Sequence, residues 1–353
     1  MSRVNLRAFV KRARWLALIP VGVVAAVGVW RAREWARDGL VYVRTSRQVM
    51  GTLASIEAVG RPGQEAQLRE AVGRAYAAID AVETRMSHYR QDSVVGRINR
   101  QAAVEPVPVD EWTWQVLTES RRYWKLSGGA FDPTCGPLIE MWKRCGAENR
   151  LPTGKEVAAT QALTGFDKAD LLAGPPPAIR FTRSGMRIDL GGIAKGYAID
   201  LAVGELRGAG CLGGLVDIGG DIRAFGRPSD DLHWQIAVQN PFGQGTMLVL
   251  SVNDAAVCTS GNYRRFAEIQ GHRYSHIIDP RTGWPAEVTP SVTIIGPETT
   301  GTDALATAVS VLGAKEGMDL VARQSGYEAM IVVGRAESFQ RIESGGFARY
   351  VHK

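Results

Sequence analysis

Asp303 and Thr307 stand four residues apart in an apolar stretch of the final third of the chain. In a helix this spacing places a carboxylate and a hydroxyl on one face, one turn apart. Both groups are hard oxygen ligands of the kind that Mg²⁺ prefers, and Mg²⁺ keeps further positions for water or phosphate. Spacing alone also allows a structural role, in which Asp303 caps the helix and Thr307 bonds back to a carbonyl.

Two further residues, Lys195 and His276, have side chains that suit phosphate chemistry. Lys195 lies in a glycine-containing segment ahead of a predicted helix, where a compact ammonium group can meet a phosphate. The alternative for Lys195 is a solvated loop lysine. His276 lies beside Asp279 and a turn, where it could accept a proton or orient a carboxylate. The alternative for His276 is a strand-end histidine with satisfied hydrogen bonds.

The sequence predicts both helices and strands to position these residues. Apolar residues at helical spacing predict helices over Glu65–Met86, Trp112–Leu126, Ala198–Leu206 and about 303–324. Short apolar segments predict strands over Val49–Val59, Leu215–Ile218, Gln235–Val238, Val292–Ile295 and Ala329–Val333. Because strands and helices alternate irregularly, the pattern indicates an α+β or mixed α/β domain rather than a regular βαβ series.

The segment Gly208–Gly213 matches the dinucleotide-binding pattern G-x-G-x-x-G. That pattern needs a strand before it and a helix after it, whereas here a predicted helix precedes it and a predicted strand follows. A helix end followed by a turn explains the glycines better. The sequence therefore argues against a Rossmann dehydrogenase.

The positive charge of the chain is concentrated at its amino terminus. The formal net charge is +6, and residues 1–40 hold eight of the 42 basic residues but two of the 36 acidic ones. The remaining residues carry equal numbers of both signs. A broad basic surface for nucleic acid is therefore not expected, and no nucleic acid is predicted as a partner.

Trp15–Trp30 is a charge-free stretch of 16 residues with a tryptophan at each end. The five basic residues before it predict a cytoplasmic amino terminus and an exported body. We favour an uncleaved anchor, although Ala26-Val27-Gly28 would serve as a signal-peptide cleavage site. The predicted organisation is a basic segment over 1–14, an anchor over 15–30, a connector over 31–47 and one domain over 48–353.

The four cysteines, Cys135, Cys145, Cys211 and Cys258, show no metal-ligand spacing. An exported location permits a disulfide, for which Cys135 and Cys145 are the nearest pair in sequence. Isolated buried thiols are the favoured interpretation.

Eight short motifs, taken in order, resemble one family, the ApbE family of FAD:protein FMN transferases. Each motif is weak alone, but their ordered sum is specific and covers about residues 48–325. The motifs are Met50–Thr52, Met86–Tyr89, Gly129–Thr134, Asp189–Gly196, Asp217–Asp221, Thr259–Gly261, His276–Pro280 and Asp303–Thr307. The family's usual amino-terminal lipid-anchor cysteine is missing, and the segment Trp15–Trp30 stands in its place.

The resemblance implies an α+β, T-fold-like domain with mixed sheets and flanking helices that binds FAD and Mg²⁺. It assigns the metal ligands to Gly192, through its carbonyl, and to the side chains of Asp303 and Thr307. His276 matches the histidine that assists catalysis. The positions that match FAD contacts are Met50, Tyr89, Ala130, Phe131, Asp132, Asp189, Lys195 and Ile277.

The activity implied by the resemblance is Mg²⁺-dependent transfer of FMN from FAD to a Thr or Ser hydroxyl of an acceptor protein, with release of AMP. The expected acceptor is a periplasmic domain of a membrane redox complex, reached from an inner-membrane anchor. Two alternatives stay open. One is a Mg²⁺-dependent FAD pyrophosphatase, and the other is an FAD-binding accessory protein for a membrane or periplasmic reductase, of the nitrous oxide reductase maturation type.

Overall fold

The computed structural model describes residues 39–229, 232–261, 266–286 and 289–353. The chain divides into two units, Met1–Leu40 and Val41–Lys353, and nearly all described residues belong to the second unit. The predicted anchor over Trp15–Trp30 lies outside the described residues. Within the described ranges, no helix combines the length and the apolar character that crossing a membrane requires.

An eight-stranded sheet forms the framework of the second unit. In spatial order its strands are β1 Val41–Val49, β2 Thr52–Gly60, β6 Gly213–Ile218, β7 Asp221–Gly226, β10 Ala255–Gly261, β15 Ser291–Gly296, β16 Glu328–Arg335 and β17 Ser338–Glu343. Each neighbouring pair is antiparallel. Two-residue turns at Met50–Gly51 and Gly219–Gly220 reverse the chain between neighbours, as tight hairpins do.

In the part of the chain that the structure describes, four smaller antiparallel sheets complete the strands. They comprise β3 Val107–Pro108, β4 Ala169–Leu172 and β5 Ala178–Phe181; β8 Trp234–Gln239 with β9 Thr246–Val252; β11 Phe266–Ile269 with β12 His272–Ser275; and β13 Ile278–Asp279 with β14 Trp284–Pro285. Every strand pairing among the described residues is antiparallel. The expectation of mixed sheets is corrected accordingly, while the α+β class is confirmed.

The helices are α1 Glu65–Met86, α2 Val94–Gln101, α3 Glu111–Leu126, α4 Gly136–Ala147, α5 Gly154–Gln161, α6 Ala194–Gly208 and α7 Thr299–Ala322, with 3₁₀ turns at Pro133–Cys135, Phe166–Lys168 and Phe347–Tyr350. Helix α6 packs between α1 and α7, and α7 also packs on β10 and β15. Inside α7, Gly313 has a φ of 78°, which interrupts the helix and divides it into two parts.

The helical periodicity predicts most of these elements well. Glu65–Met86 is one helix, as expected, whereas α6 and α7 each begin four residues before their predicted starts. The strand predicted over Val49–Val59 is wrong at its beginning, because Met50 and Gly51 form the turn between β1 and β2. Residues 41–47 of the predicted connector belong to β1, where they pair with β2.

Two smaller predictions are also confirmed. The pattern Gly208–Gly213 lies between the end of α6 and the start of β6, opposite to the order of a dinucleotide-binding unit. All four cysteines are free thiols, and three of them are buried.

Candidate active site

Helices α6 and α7 approach each other closely where Lys195 and Asp303 meet. The backbone N–H of Gly196 donates to Oδ2 of Asp303 across 3.2 Å. A Cβ placed on Gly196 would lie 2.4 Å from the carbonyl oxygen of Thr299, so the contact requires glycine. Residues more than one hundred positions apart in sequence are thus held at one point.

A side chain of α6 caps the first turn of α7. Oδ1 of Asp200 accepts from the N–H of Thr299 at 2.9 Å, and its Oδ2 accepts from the N–H of Thr300 at 2.8 Å. The hydroxyl of Thr300 also donates to Oδ2 of Asp200 at 2.6 Å. These bonds satisfy N–H groups that a helix end leaves without partners. Asp303 lies one turn further on, so the alternative that it caps the helix is wrong.

Lys195 stands between two buried carboxylates. Its ammonium pairs with Asp221 and lies 3.6 Å from Oδ2 of Asp303. Burial lowers the pKa of Lys195, but the two carboxylates outweigh it, and the net pKa is raised. Burial raises the pKa of Asp303 to about 7, although Lys195 opposes the change. The alternative of a solvated loop lysine is therefore wrong.

The turn before α6 brings Gly192 against Thr307. A Cβ placed on Gly192 would lie 3.1 Å from Oγ1 of Thr307 and 3.3 Å from the ring of Phe131, so the backbone reaches this hydroxyl because it carries no side chain. Asp303 is 3% exposed and one turn before Thr307 on α7. A carboxylate, a hydroxyl and a neighbouring backbone segment are a donor set that fits a hard divalent cation.

The candidate metal site at Asp303 and Thr307 is not a cluster of acidic, histidine or cysteine side chains. Within the ranges that the structure describes, no group of three or more such side chains could hold a metal ion. The predicted ligand set contains one carboxylate, with a hydroxyl and a carbonyl supplying the other protein oxygens. Any metal bound here would therefore keep positions for a ligand's own oxygens.

Ala130 and Ile277 belong to one apolar cluster beside the same face of α7. They pack in one apolar cluster with Val311, which follows Asp303 and Thr307 at the spacing of one turn each. The N–H of Ala286 donates to the carbonyl of Ile277 at 2.8 Å and fixes this segment. The structure thus joins two predicted contact residues to the helix face that carries the predicted metal ligands.

The carboxylate of Asp132 is used inside the protein. Its Oδ1 accepts from the N–H and the hydroxyl of Thr134 at 2.7 and 2.6 Å, and its Oδ2 accepts from the N–H of Phe166. Burial raises the pKa of Asp132 to about 6, while the bonds from Thr134 lower it. Asp132 therefore holds the shape of the loop that carries Ala130 and Phe131.

Asp189 is paired with His88, which lies in the Met86–Tyr89 motif but has no role predicted from the sequence. Nδ1 of His88 lies 3.2 Å from Oδ1 of Asp189, and the N–H of Gly191 donates to the same oxygen at 2.8 Å. Burial raises the pKa of Asp189, but the bond and charge of His88, the N–H of Gly191 and the charge of Lys143 together outweigh it, and the net pKa is lowered. The ring of His88 lies 3.9 Å from that of Tyr89, which is 76% exposed.

Replacing His88 with phenylalanine keeps a ring beside Tyr89 but removes the donor to Asp189. We expect the pKa of Asp189 to rise and the free energy of unfolding at pH 7 to fall by about 1–2 kcal/mol. A lowered carboxyl pKa stabilises the folded state above about pH 4, and the contribution is lost as the pH falls through the folded pKa. Urea unfolding at pH 7 and below pH 4 checks this.

The exposed His272 on β12 supplies the matched control for that experiment. His272→Phe should leave the free energy of unfolding within about 0.5 kcal/mol of the original protein at either pH. An equal loss of stability in His88→Phe at neutral and acidic pH would contradict the role given to the bond with Asp189.

The remaining two predicted site residues lie on other segments. Met50 is in the β1–β2 turn with a φ of 48°, a left-handed conformation that is uncommon for a residue with a side chain. Its N–H donates to Oε2 of Glu83 at 2.8 Å, which holds the turn against α1. His276 is exposed between β12 and β13, directly before Ile277.

Sequence reasoning did not assign roles to His88, Asp200 and Asp221. His88 and Asp221 stand inside quoted motifs, so their positions carried a signal, but their partners are distant in sequence. Asp221 lies 26 residues from Lys195, and Asp200 lies 99 residues from Thr299. Spacing along the chain cannot show such pairs.

Comparisons with known proteins show the family to which the chain belongs. The sequence profile of the ApbE family matches residues 50–331. An FAD:protein FMN transferase of Treponema pallidum is 35% identical, with 90% of this chain and 89% of that protein aligned. One from Vibrio cholerae is 33% identical over 88% of this chain and 93% of that protein. The crystal structure of the ApbE protein of Thermotoga maritima, 32% identical, matches 89% of this chain and 100% of its own with a TM-score of 0.80.

Proposed function

This chain belongs to the ApbE family, and from that membership we infer that it is an FAD:protein FMN transferase, which moves FMN from FAD to an acceptor protein. The observation that carries this function best is the junction of α6 and α7. There the ammonium of Lys195, on a side chain that is 28% exposed, meets the buried carboxylate of Asp303 beside the backbone of Gly192. With Mg²⁺ held at Asp303 and Thr307, this junction would suit the pyrophosphate of FAD.

The proposed reaction is displacement at the FMN-side phosphorus of FAD. The oxygen of a Thr or Ser hydroxyl on the acceptor forms a new bond to this phosphorus. The bond from the phosphorus to the bridging oxygen breaks, and AMP leaves with the electron pair. The hydroxyl proton passes to an imidazole nitrogen of His276, whose exposed position gives an acceptor protein access.

Negative charge collects on the bridging oxygen as AMP leaves. The ammonium of Lys195, fixed by Asp221, is available to stabilise that charge without reorganising during the reaction. A bound Mg²⁺, held by the side chains of Asp303 and Thr307 and the carbonyl of Gly192, would supply further charge stabilisation. The fit of this donor set, described above, supports magnesium as the cofactor.

The other predicted contact residues have side chains and local contacts that suit a flavin nucleotide. The exposed ring of Tyr89, with the ammonium of Lys143 3.3 Å from its hydroxyl, offers a flat face for an aromatic ring. Phe131 touches the Gly192 turn, and Ala130 and Ile277 supply apolar surface close by. Met50 is held by its turn, and Asp132 and Asp189 brace the loops.

The location and the acceptor are proposals that rest on the sequence. We place the catalytic domain in the periplasm on the anchor Trp15–Trp30, whose preceding basic residues would stay in the cytoplasm. The acceptor would then be a periplasmic domain of a membrane redox complex. The balance of charges beyond residue 40 supports a protein partner rather than nucleic acid.

Incubation of the full-length protein with FAD, Mg²⁺ and a periplasmic acceptor domain tests this function. Mass spectrometry should find one FMN on a Thr or Ser of the acceptor, and AMP should appear in equal amount. An acceptor in which that residue is alanine should gain no FMN. Release of FMN and AMP at the same rate without acceptor would favour the pyrophosphatase, and tight FAD binding without turnover would favour the accessory protein.

A further inference from the structure

Asp221 carries no assigned role, yet it forms the shortest polar contact of the Lys195 ammonium. Asp221 is 5% exposed and Asp303 is 3% exposed, and the ammonium pairs with Asp221 while lying 3.6 Å from Asp303. Two buried carboxylates therefore share one ammonium, on a side chain that is 28% exposed. When both are ionised, the three groups carry one net negative charge.

The position of Asp221 is fixed by the backbone around it. It is the first residue of β7 and follows the turn at Gly219 and Gly220, whose φ angles are 67° and 95°. The N–H of Gly220 donates to Oδ1 of Asp217 at 2.8 Å, which closes the turn. On the side away from β6, β7 pairs with β10, where Ile222 lies opposite Val257, the residue before the buried Cys258. The closed turn between β6 and β7 therefore holds the carboxylate of Asp221 beside Lys195.

An ammonium beside Asp303 competes with any divalent cation for that carboxylate. Drawing the ammonium toward a second carboxylate weakens this competition and leaves the negative charge of Asp303 available. We propose that Asp221 is a positioning residue, which holds the Lys195 ammonium off Asp303 and thereby sets the affinity of the Asp303–Thr307 site for a divalent cation. This inference depends on the metal role of Asp303 within the proposed function.

The two partners of the pair should change metal affinity in opposite directions. Asp221→Asn removes a negative charge and lets Lys195 turn to Asp303, so cation binding should weaken by about tenfold or more. Lys195→Met removes the competing positive charge while keeping a side chain of similar length, so cation binding should tighten by about tenfold or more. A merely structural role would weaken binding in both variants.

The test is a titration of the full-length protein with Mn²⁺, without FAD, in which free Mn²⁺ is measured by electron paramagnetic resonance. The double variant Asp221→Asn/Lys195→Met should bind with an affinity between those of the single variants. Asp254→Asn is the matched control, since it removes an equal charge from an exposed ion pair with Arg207. The control should bind Mn²⁺ as the original protein does.

Three results would overturn the inference. They are a shift in the same direction for Asp221→Asn and Lys195→Met, unchanged affinity in both, or no Mn²⁺ site that Asp303→Asn removes. If Asp221→Asn fails to fold, as judged by circular dichroism, the tightening expected for Lys195→Met decides alone. The mass-spectrometric transfer assay is independent of this titration, so failure of the positioning role and failure of the proposed function are separate outcomes.

Discussion

Asp303→Asn is expected to lower the rate of FMN transfer at least about a hundredfold, because it removes the one carboxylate of the proposed metal site. The substitution keeps the shape of the side chain and a group that can accept from the N–H of Gly196. The loss should appear in kcat/KM at saturating Mg²⁺, measured as acceptor flavinylation. Retained transfer would refute the metal role of Asp303.

The same substitution should not destabilise the metal-free protein at neutral pH. Burial raises the pKa of Asp303 to about 7, so ionisation costs the folded state free energy as the pH rises from about 4 toward 7. Asparagine cannot ionise and removes that cost. Urea unfolding in EDTA at pH 5 and pH 8 should show the larger relative gain for Asp303→Asn at pH 8.

Asp319→Asn is the matched control for both measurements. Asp319 lies on the same helix, is exposed, and undergoes the same chemical change. Transfer and unfolding should both stay close to those of the original protein. A comparable loss of transfer in Asp319→Asn would mean that the charge of the helix, and not the site, is responsible.

Gly196→Ala is expected to have the second-largest effect, because it separates the two helices that build the site. The added Cβ would lie 2.4 Å from the carbonyl oxygen of Thr299 and 2.8 Å from the Cα of Thr300, and backbone cannot move aside cheaply. We expect the free energy of unfolding to fall by about 2–3 kcal/mol. FMN transfer should fall as well, since Lys195 and Asp303 move apart.

Gly204→Ala on the same helix should have the opposite effect on stability. Gly204 is exposed, and a Cβ there would meet nothing within 4 Å. Alanine in a helix interior is favoured over glycine by about 0.5–1 kcal/mol, so unfolding should require more denaturant. If both alanine variants lose stability equally, the close approach at Gly196 is not the cause.

Local signals in the sequence predict the elements better than their ends. Apolar residues at helical spacing predict Glu65–Met86 as one helix because a single face of α1 is buried. The apolar run Val49–Val59 predicts one strand, whereas the structure breaks it at Met50, whose apolar side chain gives no sign of its left-handed backbone. The start of α7 is missed because its cap, Asp200, comes from another helix.

In the candidate site too, relations within one element are predictable from sequence and contacts between elements are not. Asp303 and Thr307 are predictable from sequence because their relation is local, one turn of a helix. The grouping of Lys195 with Asp221, and of His88 with Asp189, is set by packing between elements and has no counterpart in the spacing of residues. The family motifs contain His88 and Asp221, but only the three-dimensional structure shows which side chains these residues contact.

Because Asp200 of α6 caps α7, the proposed site for FMN transfer needs both helices in one chain. A nascent or proteolysed chain that ends before Thr299 contains Lys195 and its hairpin partner, yet it lacks the helix that Asp200 holds. A fragment that starts after α6 contains α7 with Asp303 but lacks Lys195 and Asp200. Neither piece holds both Lys195 and Asp303, so we expect an incomplete chain to be inactive in FMN transfer.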